Sequence, residues 1–320
     1  MAHNLTQRKN GFIEFAAIGQ RNAVWHQLGQ YLEEGQTIEQ WKTAAGMDWE
    51  VFSSPVIYQA GIEQKVDDSR QVLFRSDNQD VLSVMSKDYK IVQPGEVLEF
   101  FNDLVVAHGM KLSAAGTLFG GKKYWAIAEL GKSASIVGSQ DLINGHLLLT
   151  TSADGTMATT AKVTSTRVVC NNTLQVALSG AGKVLKCNHS KVFDPQDFKI
   201  DLGLIDQSWD NFIGKLRSMA ITEVPLLEAK SFFEKYTNPQ AKEKTMQMER
   251  QLDALWYFYQ YGAGHELSFG TQWGLLNAVT EMHTHQTSRI DPSRRFDNSE
   301  FGKNNSEKNR AYQMLLEGAY

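Results

Sequence analysis

A change of periodicity near residue 200 constrains this chain more than any other feature. Before it, short runs of Val, Ile, Thr and aromatic residues alternate with turn residues. After it, apolar residues recur at helical spacing over 204–220, 225–237, 240–261, 271–286 and 306–317, with breaks at Pro225, Gly262, Gly264 and Asp291-Pro292. One regular architecture cannot serve both patterns. The reading is therefore α+β: a β-rich portion over 1–200, built of antiparallel hairpins crossed by a helix, and a helical portion over 201–320. The shift has no linker composition, so the two portions are expected to pack as one continuous unit.

Within the first portion, Thr37 is placed to cap a helix running to Ala45. WEVFSSPVIYQ reads as a strand interrupted at Pro55. After a polar link, QVLFR (Gln71–Arg75) and VLSVMS (Val81–Ser86) flank the turn-rich SDNQD as a hairpin. YKIVQ (Tyr89–Gln93) reads as a further strand, and Pro94 opens a helix that Gly109 closes. LSAAGTLFGGKKYWAIAEL predicts two strands around Gly120 and Gly121, and HLLLTTSADGTMATTAKVTSTRVVC a long hairpin ending at Cys170. Asn171, Asn172 and Thr173 then supply capping chemistry for a short helix through Leu178, and VLKCNH (Val184–His189) predicts one more strand.

The charge pattern singles out one stretch. Residues 155–193 contain no Asp or Glu but hold Lys162, Arg167, Lys183, Lys186 and Lys191, a local net charge of +5 in a chain whose net charge is −4. Such asymmetry marks a surface that can meet an anion. Two parts of the stretch matter most. At RVVCNNTL (Arg167–Leu174), a helix beginning at Asn171 and Asn172 would present unsatisfied N–H groups to an anion that Arg167 could also reach. The same field would acidify Cys170, although a cysteine ending a buried strand is usually inert. In the Gly-bounded segment that follows, Lys183, Lys186 and Lys191 stand beside His189, as a phosphate-facing strip would require. Phe193 is the one ring in the stretch that could stack on a base.

Other candidates are weaker. Asp154-Gly155 is turn chemistry that could also offer a carboxylate. In EMHTHQ, His283 and His285 are two apart and diverge on a helix, whereas Asn277, Glu281 and His285 share one face as a polar stripe. There is no P-loop, GxGxxG, GxSxG, HExxH or CxxC motif, and nothing in the sequence implies a cofactor or a metal. The apolar run 12–18 is short and interrupted by Glu14, and no longer apolar run crosses a membrane's thickness, so no membrane partner is expected. Two cysteines, Cys170 and Cys187, are too few for a disulfide framework, which favours a reducing cytoplasm. A pI near 6.1 argues against a strongly basic duplex-DNA binder.

The order WHQLG (Trp25–Gly29), MDWEV (Met47–Val51), VLFRSDNQDVLSVMSKDYKIVQPGEVLEFFNDLV, SADGT, TRVVCNNTL, His189-Ser190, GTQWGLLNAVTEMHTHQ and FGKNNSEKNRAYQML resembles the phage/plasmid-like proteins classed as domain of unknown function 932. The resemblance spans Trp25 to Leu316. It implies a phage, prophage or plasmid context in a bacterial host, often near DNA-processing genes, and it assigns no catalytic residue. The expected function is an accessory role in DNA metabolism through binding or annealing of single-stranded DNA, with a homo-oligomer as a further expectation. Two alternatives stand beside it. One is an enzyme acting on a nucleotide or phosphorylated ligand, using Asp154, Glu281 or His285 for proton transfer. The other is a protein that engages a host factor, for which an exposed apolar patch would be the mark.

Overall fold

The computed structural model describes residues 5–19, 28–167, 172–175, 185–194, 205–238, 240, 243, 245–285 and 302–318. Among these lie β1 (Phe15–Ile18), β2 (Gln30–Leu32), α1 (Ile38–Ala45), β3 (Val51–Ala60), β4 (Glu63–Arg75), β5 (Val81–Ser86) and α2 (Pro94–His108). Then follow β6 (Lys111–Leu118), β7 (Lys123–Ser135), β8 (Leu142–Ser152), β9 (Thr159–Arg167), β10 (Asn172–Gln175) and β11 (Leu185–Cys187). The helical part holds α3 (Ile205–Ile221), α4 (Leu226–Thr237), α5 (Met246–Tyr261), α6 (Gln272–His285) and α7 (Lys303–Leu316). The fold is α+β, as the periodicity implies.

Two sheets form the β-rich part. The larger runs β10-β9-β8-β7-β6-β1-β2, antiparallel apart from the β1–β2 pair, and β11 shares the outer edge of β9 with β10. The smaller is β3-β4-β5. Thr37 caps α1 with a reciprocal box: its hydroxyl accepts from the Gln40 amide, and the Gln40 side chain accepts from the Thr37 amide at 2.8 Å. Helix α2 lies across β6, β7 and β8 and buries Val97, Leu98, Phe100 and Phe101 against them. One hydrophobic cluster then continues from this layer into α3–α7 and ends at Leu315. The join is tight at Gly145 in β8, where a Cβ would come within 2.8 Å of the Trp209 ring from α3. A second tie is polar, with the Trp273 indole N–H donating to buried Asp141 at 2.8 Å.

Three expectations are corrected. Tyr89–Gln93 is not a strand, because its polar backbone groups go to single partners: the Lys90 amide to the His189 carbonyl, and the Val92 carbonyl to the Tyr124 hydroxyl. The polar link before Gln71 is strand, since β4 starts at Glu63 and pairs with the far end of β3. Asn172–Gln175 does not open a helix but pairs with Thr164–Arg167 as β10. There the free edge of β9 offers a ladder to Thr173 and Leu174, and this outcompetes local capping at the asparagines. Cys170 and Asn171 lie outside the described residues.

Candidate nucleic-acid interface

The β3-β4-β5 sheet turns its inner face to the core through Val51 and Leu73 and leaves its outer face open. Cross-strand register places Phe52, Phe74 and Val81 in one row of that face, Ser54, Val72 and Val84 in the next, and Arg70 beside Ser86 in the third. Phe52 is 46% exposed, Val81 60% and Val84 47%. Phe52 meets Phe74 edge to face at 6.1 Å. A row of apolar and aromatic side chains thus leads to an arginine at the sheet's end.

Beyond Ser86 the chain enters the corner where the basic segments meet. The Gln71 side-chain amide donates to the carbonyls of Ser86 and Lys87 at 3.0 and 3.3 Å, which folds this loop back on β4. The Lys90 amide donates to the His189 carbonyl at 2.7 Å, and His189 Nδ1 lies 3.0 Å from the Lys90 carbonyl. His189 Nε2 faces the Met157 carbonyl at 3.0 Å, while its ring stacks on Tyr89 with centroids 4.4 Å apart. Burial pushes the Tyr89 phenol above its ordinary range, and its hydroxyl donates to the Ser152 carbonyl at 2.6 Å. This knot brings exposed Lys87 and Lys90 from one segment to exposed Lys186 and Lys191 from another. Taking Arg70 with residues 86–90 and 185–194, five cations stand against Asp88 and Asp194, a local net charge of +3.

Of the residues singled out in the sequence, Lys186, His189 and Lys191 belong to this corner. Lys162 does not join an open strip: it is 2% exposed within β9, paired across to Leu148. Phe193 is 8% exposed and packs near Phe100, so it is no stacking platform. Arg167 ends β9 opposite Asn172, and Lys183 lies outside the described residues. Asp154 accepts from the Thr156 amide and hydroxyl at 3.0 and 2.6 Å, as a turn aspartate does. Two members of the polar stripe on α6 have fixed backbone partners. Asn277 is buried and donates to the Trp273 carbonyl at 2.8 Å, and Glu281 accepts from the Ala263 amide at 3.2 Å. His285 is the last residue of α6, and its side chain lies outside the described part of the chain.

A family model described as Domain of unknown function (DUF932) matches residues 81–313, from the first residue of β5 into α7. The chain belongs to this family. No curated protein and no solved structure matches it. In this DUF932 chain the matched region contains the lysine corner, while β3 and β4 precede it.

Two buried polar clusters were not read from the sequence. Glu14, fully buried, receives Arg75 at 2.6 and 3.2 Å, Arg8 at 2.7 Å and the Thr117 hydroxyl. Arg75 also holds Asp77 at 2.9 and 2.8 Å and lies 4.0 Å over the Trp49 ring. The signal was present, since Glu14 interrupts an otherwise apolar run. On α6, His283 is 8% exposed and its Nε2 lies 2.7 Å from the Tyr236 hydroxyl of α4. That hydroxyl is 3.3 Å from Glu307 of α7, which Arg310 grips at 2.6 Å. Its spacing from Leu276 and Val279 puts His283 on the apolar face of the helix, away from the Asn277 stripe. Among the described residues no helix is long and apolar enough to cross a membrane.

Proposed function

We propose that this chain binds single-stranded nucleic acid along the outer face of β3-β4-β5 and the adjoining lysine corner. The observation that supports the reading is the reciprocal Lys90–His189 contact, which joins two segments that together bear four exposed lysines, in a chain whose β3-β4-β5 sheet also leaves a half-exposed phenylalanine on its outer face. Single-strand binding needs two elements, cations that follow the phosphates and flat apolar surface on which bases rest, and on this reading the lysine corner supplies the first and the open sheet face the second. The open sheet face suits a flexible strand better than a small ligand, which requires a concave pocket. A role in DNA metabolism on a mobile element is the context in which such binding would act.

The test is fluorescence anisotropy with labelled single- and double-stranded oligonucleotides at several salt concentrations. Single strands should bind in preference to duplex, with affinity falling steeply as salt rises. Replacing Lys87, Lys90, Lys186 and Lys191 together with Ala should flatten the salt slope by up to about 3, at roughly 0.7 for each phosphate that is no longer neutralised. Phe52→Ala should weaken binding by about 1–3 kcal/mol with the slope unchanged, as expected when a stacking ring is removed. Absence of binding at low salt, or a quadruple variant that binds as wild type does, refutes the proposal.

A further inference from the structure

His189 meets a carbonyl oxygen at each of its ring nitrogens, that of Lys90 at 3.0 Å from Nδ1 and that of Met157 at 3.0 Å from Nε2. Carbonyl oxygens only accept hydrogen bonds. A neutral imidazole carries a single N–H, so in either tautomer one ring nitrogen turns a lone pair toward an oxygen that has nothing to donate. Only the ring with hydrogens on both nitrogens satisfies both contacts.

The two carbonyls belong to different parts of the chain. Lys90 lies in the loop after β5 and Met157 in the turn between β8 and β9, while the ring itself follows β11. Donation to both oxygens therefore ties three segments at one point, and the Lys90 amide returns a bond to the His189 carbonyl at 2.7 Å. The Tyr89 ring, with centroids 4.4 Å apart and planes 16° apart, offers an electron-rich face to a charged imidazolium. The segments that meet here carry Lys87, Lys90, Lys186 and Lys191, which oppose a further positive charge, and Asp88, Asp154 and Asp194, which favour it. The remaining titratable neighbour is the Tyr89 phenol, which donates to the Ser152 carbonyl. The described residues of this corner include no second histidine.

We propose that His189 is a proton-operated latch for the lysine corner: with hydrogens on both nitrogens it clamps the three segments together, and loss of one loosens the clamp. It is a positioning residue, acting through the lysines that it holds in place. Its regulatory role rests on the nucleic-acid reading above. Phosphates arriving at the corner offset the repulsion between the lysines and the charged ring, so strand binding and proton uptake strengthen each other. The charged ring is the form on the acid side, so affinity should rise as pH falls.

Two measurements on the full chain test the latch. Hydrogen exchange of the Lys90 amide, expressed as protection relative to the unfolded-chain rate at each pH, should rise about 5-fold or more from about pH 8 to about pH 5.5 in wild type, the lower end of coupling between linked sites. His189→Gln has one donor group for two carbonyls and should lose that rise. His189→Arg donates at every pH and keeps a flat group on Tyr89, so its protection should stay high throughout. Anisotropy with a labelled single-stranded oligonucleotide should show the same pattern in affinity, a rise of about 5-fold or more in wild type that is lost in both variants. Wild-type protection that ignores pH, or a rise that survives in His189→Gln, overturns the latch. Affinity that ignores pH while protection follows it overturns the regulation of binding. Protection that follows pH while no oligonucleotide binds upholds the latch and refutes the nucleic-acid reading instead.

Discussion

Protonation of His283 should weaken the fold measurably, and the size of the effect follows from its surroundings. Helix α6 delivers the ring into the layer between α4 and α7, where it is 8% exposed and its Nε2 meets the Tyr236 hydroxyl at 2.7 Å. Burial, only partly offset by nearby Glu307, lowers its pKa from 6.5 to about 4, and Lys308 and Arg310 push the same way as burial. Because the folded-state value is depressed, the unfolded chain takes up a proton in a range where the folded chain does not. The neutral ring's contribution is therefore intact above about pH 6.5 and declines as pH falls toward 4. The full loss is about 3 kcal/mol, at about 1.4 kcal/mol for each pH unit that separates the folded and unfolded values. Integrated to pH 5 it is about 2 kcal/mol, since the unfolded site is then almost fully protonated and the folded site about one-tenth so. Urea unfolding of wild type and His283→Gln at pH 7.5 and pH 5 isolates this contribution, because every other titrating group is common to both proteins. Wild type should lose about 2 kcal/mol more than the variant between the two pH values. Parallel losses would refute the reasoning.

Two further substitutions test other parts of the structure. Arg75→Met leaves fully buried Glu14 without its main partner, and a decrease of about 3–5 kcal/mol in unfolding free energy is expected, as for a broken buried ion pair. A loss below about 1 kcal/mol would show that Arg8 and Thr117 suffice to hold Glu14, against that expected range. Gly155→Ala forces alanine to a φ of +71°, while the nearest clash is the mobile end of Met85, so backbone strain of about 1–2 kcal/mol should dominate. Thermal denaturation reads both.

Much of the element order was legible because it rests on local rules. Thr37 and Gln40 cap α1 within one turn of chain, Pro94 and Gly109 bracket α2, and the hairpins follow from turn residues between β-forming runs. Misreadings fall where a distant partner decides. Asn172 and Thr173 are good capping residues, yet the unpaired edge of β9 makes them strand. Tyr89–Gln93 has strand composition, yet among the described residues no strand lies beside it to complete a ladder.

The candidate site divides in the same way. An excess of lysine around His189 was visible as a count of charges, but a count has no geometry. Lys162 contributes to that count and is buried, whereas Arg70, Lys87 and Lys90 come from a distant part of the chain and stand at the corner. Phe193 was the ring expected to stack, and packing against α2 removes it from the surface.

The sequence by itself determined the α+β class, most element positions and the unusual charge of residues 155–193, because backbone propensity, periodicity and formal charge act over a few residues. Only the tertiary structure decided which of those charges face solvent and which side chains become neighbours. Both depend on long-range strand pairing and burial, whose partners lie tens to hundreds of residues away in the chain.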